Sequence, residues 1–532
     1  MMETSRRPDA EAGGSPRRLH TDVLLVEDLG QQRLTARLCQ AILQRENISA
    51  HLVDFRSAGD IPTIVELARQ MKPRLVVCSL LFAIRLEEHL TLITALREAE
   101  RGAHLTITGH LVGLAPHLFL NRCVALDSAL CGEAEASIVE LARSVDGGAT
   151  PVAIPGVLTR AGAEAACPVG IHELDALPFP AYAEGIPFRR VRYKPDEGTG
   201  LREYGFATIE ASRGCDHACS FCGASAFFRR ARLGYRRKSV TRLVDEIESL
   251  YQRGARLFLL DDEQFLLPRR MAPARQEYVD ALERELERRK LKIAFTLKSR
   301  ADEVEPALFR QLAAMGLIRV YVGIESGAPA SLACFAKRTT PEQNLDALRT
   351  LAALGIVADF HTLIIHPWSA LETIADDLAF LEHAFPLLST LLSFQEIAVY
   401  AGTPMAARLG ARDSIVTRYK LADPRVQLLR QVNQLVFGPG SRHMRLYHAL
   451  TEAWFDYLVT RRFAGNDRGY AASLQTIAVQ ANQAALAAWQ EMLAFAMVED
   501  LGDVPAVHAR AGGWAWQMNQ TDEVLLEQLS KL

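Results

Sequence analysis

Short apolar segments alternate with amphipathic ones from residue 22 to about residue 146. Five of the apolar segments are rich in Val, Leu and Ile, as buried parallel strands are: DVLLVE, AHLVDF, RLVVCS, HLTITG and ALDSALC. The stretches between them, such as RLTARLCQAILQREN and EASIVELARSV, have apolar residues every three or four positions and are predicted helices. Five strand–helix units in series predict a doubly wound α/β sheet over residues 21–147.

A second block of alternating segments begins after residue 205. It contains six strand candidates, separated by predicted helices: ATIEAS, RLFLLD, KIAFTL, IRVYVGI, ADFHTLII and SFQEIAVY. A complete barrel of this type has eight such units, so six units predict an open sheet or an incomplete barrel over residues 205–405.

The remaining segments are predicted from composition and period. Residues 148–204 are rich in Gly and Pro and are expected to be an irregular linker. Residues 406–532 have the period of helices and are expected to form a helical C-terminal domain. Residues 1–20 contain no apolar segment, which indicates a disordered N-terminus and not a secretory signal.

The overall composition is that of a globular protein. The 532 residues are 49% hydrophobic and carry a formal net charge of -3, which argues against nucleic acid as a partner. No uninterrupted apolar run is long enough for a membrane span. Nine cysteines in a chain of this length indicate reduced or metal-bound thiols and a cytoplasmic location.

Three cysteines stand close together in RGCDHACSFCGA: Cys215, Cys219 and Cys222. A structural zinc site usually has four ligands, often as two pairs, and no second pair is present; a zinc-stabilised binding module nevertheless stays an alternative. An iron–sulfur cluster fits the spacing better, because thiolates hold such clusters. Three thiolates leave one of four irons with an open position, which is how a metal site becomes catalytic.

This motif resembles the signature of the radical S-adenosylmethionine (SAM) enzymes, C-x3-C-x2-C with an aromatic residue before the last Cys, here Phe221. Its position after the first strand of a six-unit block is also typical of that family. The resemblance implies a [4Fe–4S] cluster whose fourth iron is chelated by SAM. An electron, from a donor such as flavodoxin or ferredoxin, would then cleave SAM to methionine and a 5'-deoxyadenosyl radical.

Further segments of residues 205–405 are similar to family motifs. LLDDEQF ends the second strand in acids, FTLKSRADEV carries an Arg that would face the SAM carboxylate, VYVGIESG matches the fourth strand, and AVYAGTPM matches the sixth. Read without the resemblance, the acids could cap a helix and the Arg could form a surface ion pair. His366, in a segment that departs from the family pattern, is interpreted as structural. The implied SAM-binding residues are Phe221, Asp262, Arg300, Glu325 and Tyr400.

The front block resembles the Rossmann-like domain of the cobalamin-binding branch of the family, through ITGHLVGLAP, CGEAEASIVELA and DALPFPAY. The D-x-H-x-x-G motif that donates a cobalt-ligating histidine is absent, because the first strand runs into EDLGQQR. Ligands bind beyond the carboxyl ends of parallel strands, although such a domain can also be a scaffold without a cofactor. The implied cobalamin-binding residues are Ser79, Gly109, His110, Gly132 and Glu133.

Together these resemblances imply a cobalamin-dependent radical SAM enzyme that methylates an unactivated carbon. A second SAM molecule would remethylate the cobalt, and the substrate would be a small molecule or a peptide. A radical cyclase, oxidoreductase or lyase, with or without cobalamin, is the alternative enzyme class.

Overall fold

The structure is a computed structural model of the chain. It describes residues 22–28, 34–80, 85–147, 154–160, 162, 168–182, 185–191, 202–465, 467–498 and 504–532. The predicted disordered N-terminus and parts of the predicted linker lie outside the described residues.

The five strands predicted in the front block form one sheet together with a sixth. The strands are β1 Val23–Glu27, β2 Ala50–Asp54, β3 Leu75–Ser79, β4 His104–Thr108, β5 Ser128–Leu130 and β6 Val157–Thr159. Their order is β2-β1-β3-β4-β5-β6; strands β1 to β5 are parallel, and β6 runs antiparallel to β5. The strand order reverses between β1 and β3, which is where doubly wound sheets bind ligands.

Helices cover both faces of this front sheet, because each strand is apolar on both sides. Two separate apolar clusters, one on each face, contain the buried side chains of β1 and β3. The helices are α1 Thr35–Arg45, α2 Ile61–Met71, α3 Leu86–Ala99, α4 His110–Leu114, α5 Pro116–Arg122 and α6 Ile138–Asp146.

The second block contains twelve further strands within the described residues. They are β7 Phe188–Val191, β8 Arg202–Ile209, β9 Ser212–Arg213, β10 Arg236–Arg237, β11 Ala255–Leu260, β12 Ala294–Arg300, β13 Leu317–Gly323, β14 Val357–Asp359, β15 Thr362–Ile365, β16 Phe394–Glu396, β17 Val399–Tyr400 and β18 Val416–Thr417. The main sheet has the order β14-β13-β12-β11-β8-β7, and it is parallel from β8 to β14.

The predicted fifth strand of this block is divided in two. Its first half, β14, pairs with β13, whereas its second half, β15, pairs with β16 in a separate two-stranded sheet. A single bridge between Glu325 and Thr362 links the two sheets. Six parallel strand positions therefore follow one another around an incomplete barrel, as the six predicted units require.

The second block contains eight α-helices within the described residues, and most of them pack on the outer face of the barrel sheet. They are α7 Gly223–Arg230, α8 Val240–Gln252, α9 Ala272–Arg288, α10 Pro306–Met315, α11 Pro329–Cys334, α12 Pro341–Ala353, α13 Leu371–Ala384 and α14 Pro404–Arg408. Alternate strand residues divide between two cores. Phe258 joins the outer core with α8 and α9, and Leu257 joins a second core on the inner face.

The C-terminal helices supply the partner of that inner core. They are α15 Pro424–Phe437, α16 Arg442–Phe463, α17 Arg468–Val498 and α18 Val504–Ser530. Leu446, Leu450 and Leu458 of α16 are buried with the inner-face residues of β8 to β14. The predicted helical C-terminal region is thus present, apart from the short β18, which pairs with β17. None of the described helices has the length and apolar character needed to cross a bilayer.

The linker is more ordered than its composition predicts. It adds β6 to the edge of the front sheet and β7 to the edge of the barrel sheet. Its middle part packs directly on the front sheet, since a Cβ on Gly132 would lie 1.9 Å from the Val169 oxygen. The prediction of an irregular linker was wrong for these two strands, because backbone pairing at open sheet edges overrode a composition that favours loops.

Candidate functional site

The three cysteines of the motif lie on one loop between β9 and α7. Cys222 is the N-cap residue of α7, and the Ser225 N–H donates to its sulfur at 3.4 Å. Burial raises the pKa of Cys215 to about 12 and that of Cys222 to about 11, and the neighbouring thiols of the motif add to both shifts. The metal-free thiols of Cys215 and Cys222 are therefore protonated at neutral pH, and metal binding would release their protons.

Ser220 connects this loop to two other segments of the barrel through three hydrogen bonds. Its hydroxyl donates to the Cys334 carbonyl at 2.8 Å, and its N–H donates to the Phe335 carbonyl at 2.8 Å. Its own carbonyl accepts from the Met405 N–H at 2.9 Å. The loop is consequently held from both sides at the residue next to Cys219.

His217, inside the loop, does not act as a fourth ligand in this structure. Its Nε2 lies 3.0 Å from Glu303 Oε1, which also accepts from Gln264 Nε2 at 2.9 Å. Across the described residues, no three His, Cys, Asp or Glu side chains converge as ligands of a single metal ion. An iron–sulfur cluster does not need that convergence, because its thiolates bind different irons.

Glu325 lies at the carboxyl end of β13, as expected for a SAM contact. Its backbone has a φ of 66°, a strained conformation for a residue with a side chain. Its carboxylate accepts from Lys337 Nζ at 2.9 Å. A strained, charged residue at a strand end is typical of a functional site.

Two further residues implied as SAM contacts lie near the cysteine loop. The Phe221 ring meets the Phe335 ring edge-on with centroids 5.4 Å apart, and burial raises the pKa of Tyr400. The Tyr400 ring is also near Gly223, directly after the last cysteine. These positions keep both residues candidates for the SAM site.

The side chains of Asp262 and Arg300 both form hydrogen bonds with other residues of the protein. Asp262 is fully buried, and its Oδ1 accepts from the Ser212 hydroxyl at 2.6 Å. Arg300 makes a two-pronged contact with Asp302, at 2.8 Å and 3.1 Å. A contact of either residue with SAM would require it to release these partners.

His366 has the structural role predicted for it. Its Nε2 lies 2.9 Å from the Ser331 hydroxyl, and its Nδ1 accepts from the Trp368 N–H at 3.3 Å. Burial lowers the pKa of His366 to about 4, and nearby Arg408 lowers it further, so the ring is neutral at physiological pH.

Four of the five residues predicted for cobalamin surround one cavity. The cavity lies between the carboxyl ends of the front sheet and of the barrel strands β8 and β11. Its walls include Thr35, Thr108, Gly109, His110, Gly132, Glu133, Glu135, Glu210, Phe227, Asp261 and Glu263. The fifth residue, Ser79, is not part of the cavity wall and donates to Glu27 at 2.8 Å.

A buried ion-pair network joins the front sheet to the cysteine loop at this cavity. Arg213, two residues before Cys215, contacts Glu135 at 2.7 Å, Glu210 at 2.8 Å and Glu133 at 3.4 Å. Arg236 binds both oxygens of Glu133 at 3.0 Å. Burial alone would raise the pKa of Glu133, but Arg213 and Arg236 hold it below its ordinary value. Glu133 therefore serves the junction between the two parts of the chain.

An aromatic contact reinforces the same junction. The His110 ring of α4 lies 4.6 Å from the Phe227 ring and 5.3 Å from the Phe228 ring of α7, centroid to centroid. Gly113 makes the close approach possible, because a Cβ there would lie 2.4 Å from Phe227. Helix α7, which begins directly after Cys222, thus packs on α4, the helix that follows β4.

Polar and aromatic side chains also lie on the inner face of the barrel. The rings of Tyr321 and His361 are 5.6 Å apart, and Tyr447 of α16 is 6.4 Å from His361 on its other side. Tyr447 donates to Asp359 at 2.9 Å, and Arg319 pairs with the same carboxylate. Burial lowers the pKa of His361, and its buried Nδ1 has no hydrogen-bond partner in the described part of the chain.

Several of these residues escaped the sequence analysis. Arg213 stands two residues before Cys215, but a lone Arg gives no sign of its two distant carboxylate partners, Glu133 and Glu135. Tyr321 could have been found, because it alternates with Arg319 and Glu325 along one strand face. His361 could also have been singled out, as a polar residue within an apolar strand segment.

A family model described as the radical SAM superfamily matches residues 209–378. An uncharacterized methyltransferase of Pyrococcus horikoshii is 27% identical over 336 residues, covering 62% of this chain and 67% of that protein. The hopanoid C-3 methylase of Methylococcus capsulatus is 25% identical over 355 residues, covering 66% of this chain and 63% of the methylase. The chain therefore spans about two thirds of the length of either relative.

Among solved structures, the cobalamin-dependent SAM radical enzyme OxsB, with aqua-cobalamin and SAM bound, has a TM-score of 0.67 and 17% identity. That match covers 96% of this chain and 81% of OxsB. The motif, the barrel and the family model agree, so residues 209–378 carry a radical SAM domain. The overall fold of the chain is similar to that of OxsB.

Glu27, at the end of β1, gives a pH-dependent prediction. Burial raises its pKa from 4.5 to about 7, although hydrogen bonds from Ser79 and Ala36 lower it. Between pH 4.5 and about pH 7, the folded protein keeps a proton that the unfolded chain has lost. The free energy of unfolding therefore falls as the pH rises, by up to about 3 kcal/mol. Glu27→Gln keeps an acceptor for the Ala36 N–H and removes this titration.

The apparent unfolding temperature of Glu27→Gln should therefore decrease less than that of the unaltered protein between about pH 5 and pH 8. Glu66→Gln, at an exposed position of α2, is the matched control and should follow the unaltered protein. Equal pH profiles for Glu27→Gln and the unaltered protein would contradict the assignment.

Proposed function

We propose that this chain is a cobalamin-dependent radical SAM methyltransferase that acts on an unactivated carbon. The observation that carries the proposal is the cavity at which the carboxyl ends of the front sheet meet the first two barrel strands. Arg213 contributes to the cavity wall and directly precedes the cysteine loop. One cavity therefore adjoins both predicted cofactor sites.

The donor chemistry supports the three cofactors. Cys215, Cys219 and Cys222 would hold the [4Fe–4S] cluster, and Glu325 with Tyr400 and Phe221 would contact SAM. When bound, the cluster and SAM supply a carbon-centred radical, and cobalamin supplies a methyl group. The protein's own side chains position these groups and exclude water.

The cavity wall suits the amide-rich rim of a corrin. Gly109 and Gly132 form part of the wall, and Phe227 supplies an apolar surface. Glu135 and Glu210 are acceptors, which is what amide N–H donors require.

Tyr321, His361 and Tyr447 are proposed to face the substrate, because they lie on the inner face of the barrel below Glu325. Four cations near this face each contact a carboxylate: Lys298 with Asp261, Arg300 with Asp302, Lys337 with Glu325 and Arg319 with Asp359. With those charges compensated and His361 neutral, the face favours an uncharged part of a small molecule or peptide.

Reduction of the cluster needs a one-electron donor, and a flavodoxin or ferredoxin remains the prediction for it. The relatives named methyltransferase and methylase support methylation over a cyclase or lyase reaction. The mass of the product decides between these outcomes, since methylation adds one methylene unit and cyclisation does not.

Cys219→Ala tests the cluster assignment. Anaerobically reconstituted protein should contain iron and form 5'-deoxyadenosine from SAM, and the variant should lose most of both, because two thiolates hold a cubane poorly. Cys123→Ala, a buried cysteine of the front block, is the control and should keep both. Zinc in place of iron in the unaltered protein, or normal SAM cleavage by Cys219→Ala, would refute the assignment.

Thr35→Tyr tests the cobalamin site. Thr35 begins α1 on the cavity wall, so a bulky side chain there should fill the space and remove most bound cobalt while iron content stays unchanged. Thr91→Tyr, on the exposed side of α3, is the matched control. Cobalt content and the visible spectrum are the measurements. Equal cobalt in both variants would place cobalamin elsewhere, and no cobalt in any of them would mean that none binds.

A further inference from the structure

Arg300 ends β12 with its guanidinium pointing at the cysteine loop. Its Nη1 lies 3.5 Å from Cys219 Sγ, which is within hydrogen-bonding distance for a sulfur acceptor. The side chain is only 10% exposed, so water competes little for this contact. Arg300 is therefore a built-in donor to one of the three cluster ligands.

Three further N–H donors of Arg300 are occupied, and this fixes its orientation. Nε donates to Asp302 Oδ1 at 2.8 Å, and Nη2 donates to Asp302 Oδ2 at 3.1 Å and to the Lys337 carbonyl at 2.5 Å. A guanidinium held at three points cannot rotate, so Nη1 stays directed at the sulfur. Asp302 occupies the two-pronged edge formed by Nε and Nη2.

A donor at a cysteinyl sulfur changes the energy of the two cluster states by different amounts. The reduced cluster carries one more negative charge than the oxidised cluster, and part of that charge resides on the sulfurs. A positively charged N–H donor therefore stabilises the reduced state more, and hydrogen bonds to the sulfurs are known to set the potentials of such clusters.

We propose that Arg300 is a positioning residue that raises the reduction potential of the [4Fe–4S] cluster through its hydrogen bond to Cys219. This inference rests on the proposed function only in requiring the cluster. The step concerned is the uptake of one electron by the oxidised cluster from an external low-potential one-electron donor. No bond forms or breaks in it, and no proton needs to move.

The test is a redox titration of the reconstituted cluster without SAM, with titanium(III) citrate as reductant and electron paramagnetic resonance as readout. Arg300→Gln should shift the potential to a more negative value. Arg300→Lys should shift it less, because Lys keeps the charge but lacks the fork that holds both Asp302 and the sulfur. Arg270→Gln is the matched control, because Arg270 pairs with Asp216 of the same loop at 2.9 Å. The cluster potential of this variant should equal that of the unaltered protein.

An unchanged potential in Arg300→Gln with full iron content would overturn the inference, and so would an equal shift in Arg270→Gln. If Arg300→Gln does not retain a cluster, Arg300→Lys decides, because it keeps the charge but loses the fork; its potential should still be more negative than that of the unaltered protein, and an unchanged value overturns the inference. Failure of the unaltered protein to bind a four-iron cluster would instead refute the proposed function.

Discussion

The arrangement of this protein depends on the buried ion pairs of Arg213. Its guanidinium is buried at the junction of two sheets and contacts carboxylates from both: Glu133 and Glu135 follow β5, and Glu210 follows β8. Removing one partner of a buried ion pair leaves an uncompensated charge and costs about 3–5 kcal/mol. Because Arg213 is two residues from Cys215, the same contacts that join the sheets also fix the start of the cysteine loop. The position of the loop and the assembly of the junction therefore depend on the same contacts.

These contacts also explain why polar groups of both sheets lie around one cavity. The carboxyl ends of the front strands and of the first barrel strands face one cavity, so a group bound at one set of strand ends lies next to the other. The C-terminal helices fill the lower part of the inner barrel face, and they leave Tyr321, His361 and Glu325 on the part nearer the cysteine loop. Radical chemistry needs exclusion of water, and a barrel whose inner face is covered by its own helices meets that need.

Much of the fold could be predicted from local pattern. The front strands and the barrel strands are apolar runs of ordinary length, and the parallel order follows from their alternation with helices. The strands β6 and β7 could not be predicted, because their pairing depends on open sheet edges elsewhere in the chain. The division of the fifth barrel strand had no sequence signal either, since ADFHTLII reads as one continuous strand. Among site residues, the cysteines are recognisable by spacing. Arg213 is not, because its importance lies in partners about 80 residues earlier, such as Glu135.

The central claim is that the cobalamin site and the cluster loop share one cavity, held together by Arg213. The most direct measurement is electron paramagnetic resonance of the anaerobic protein that holds both cob(II)alamin and the reduced cluster. We predict a magnetic interaction between the two centres, seen as splitting or as faster relaxation of the cobalt signal. A spectrum equal to the sum of the two isolated centres would contradict the shared cavity.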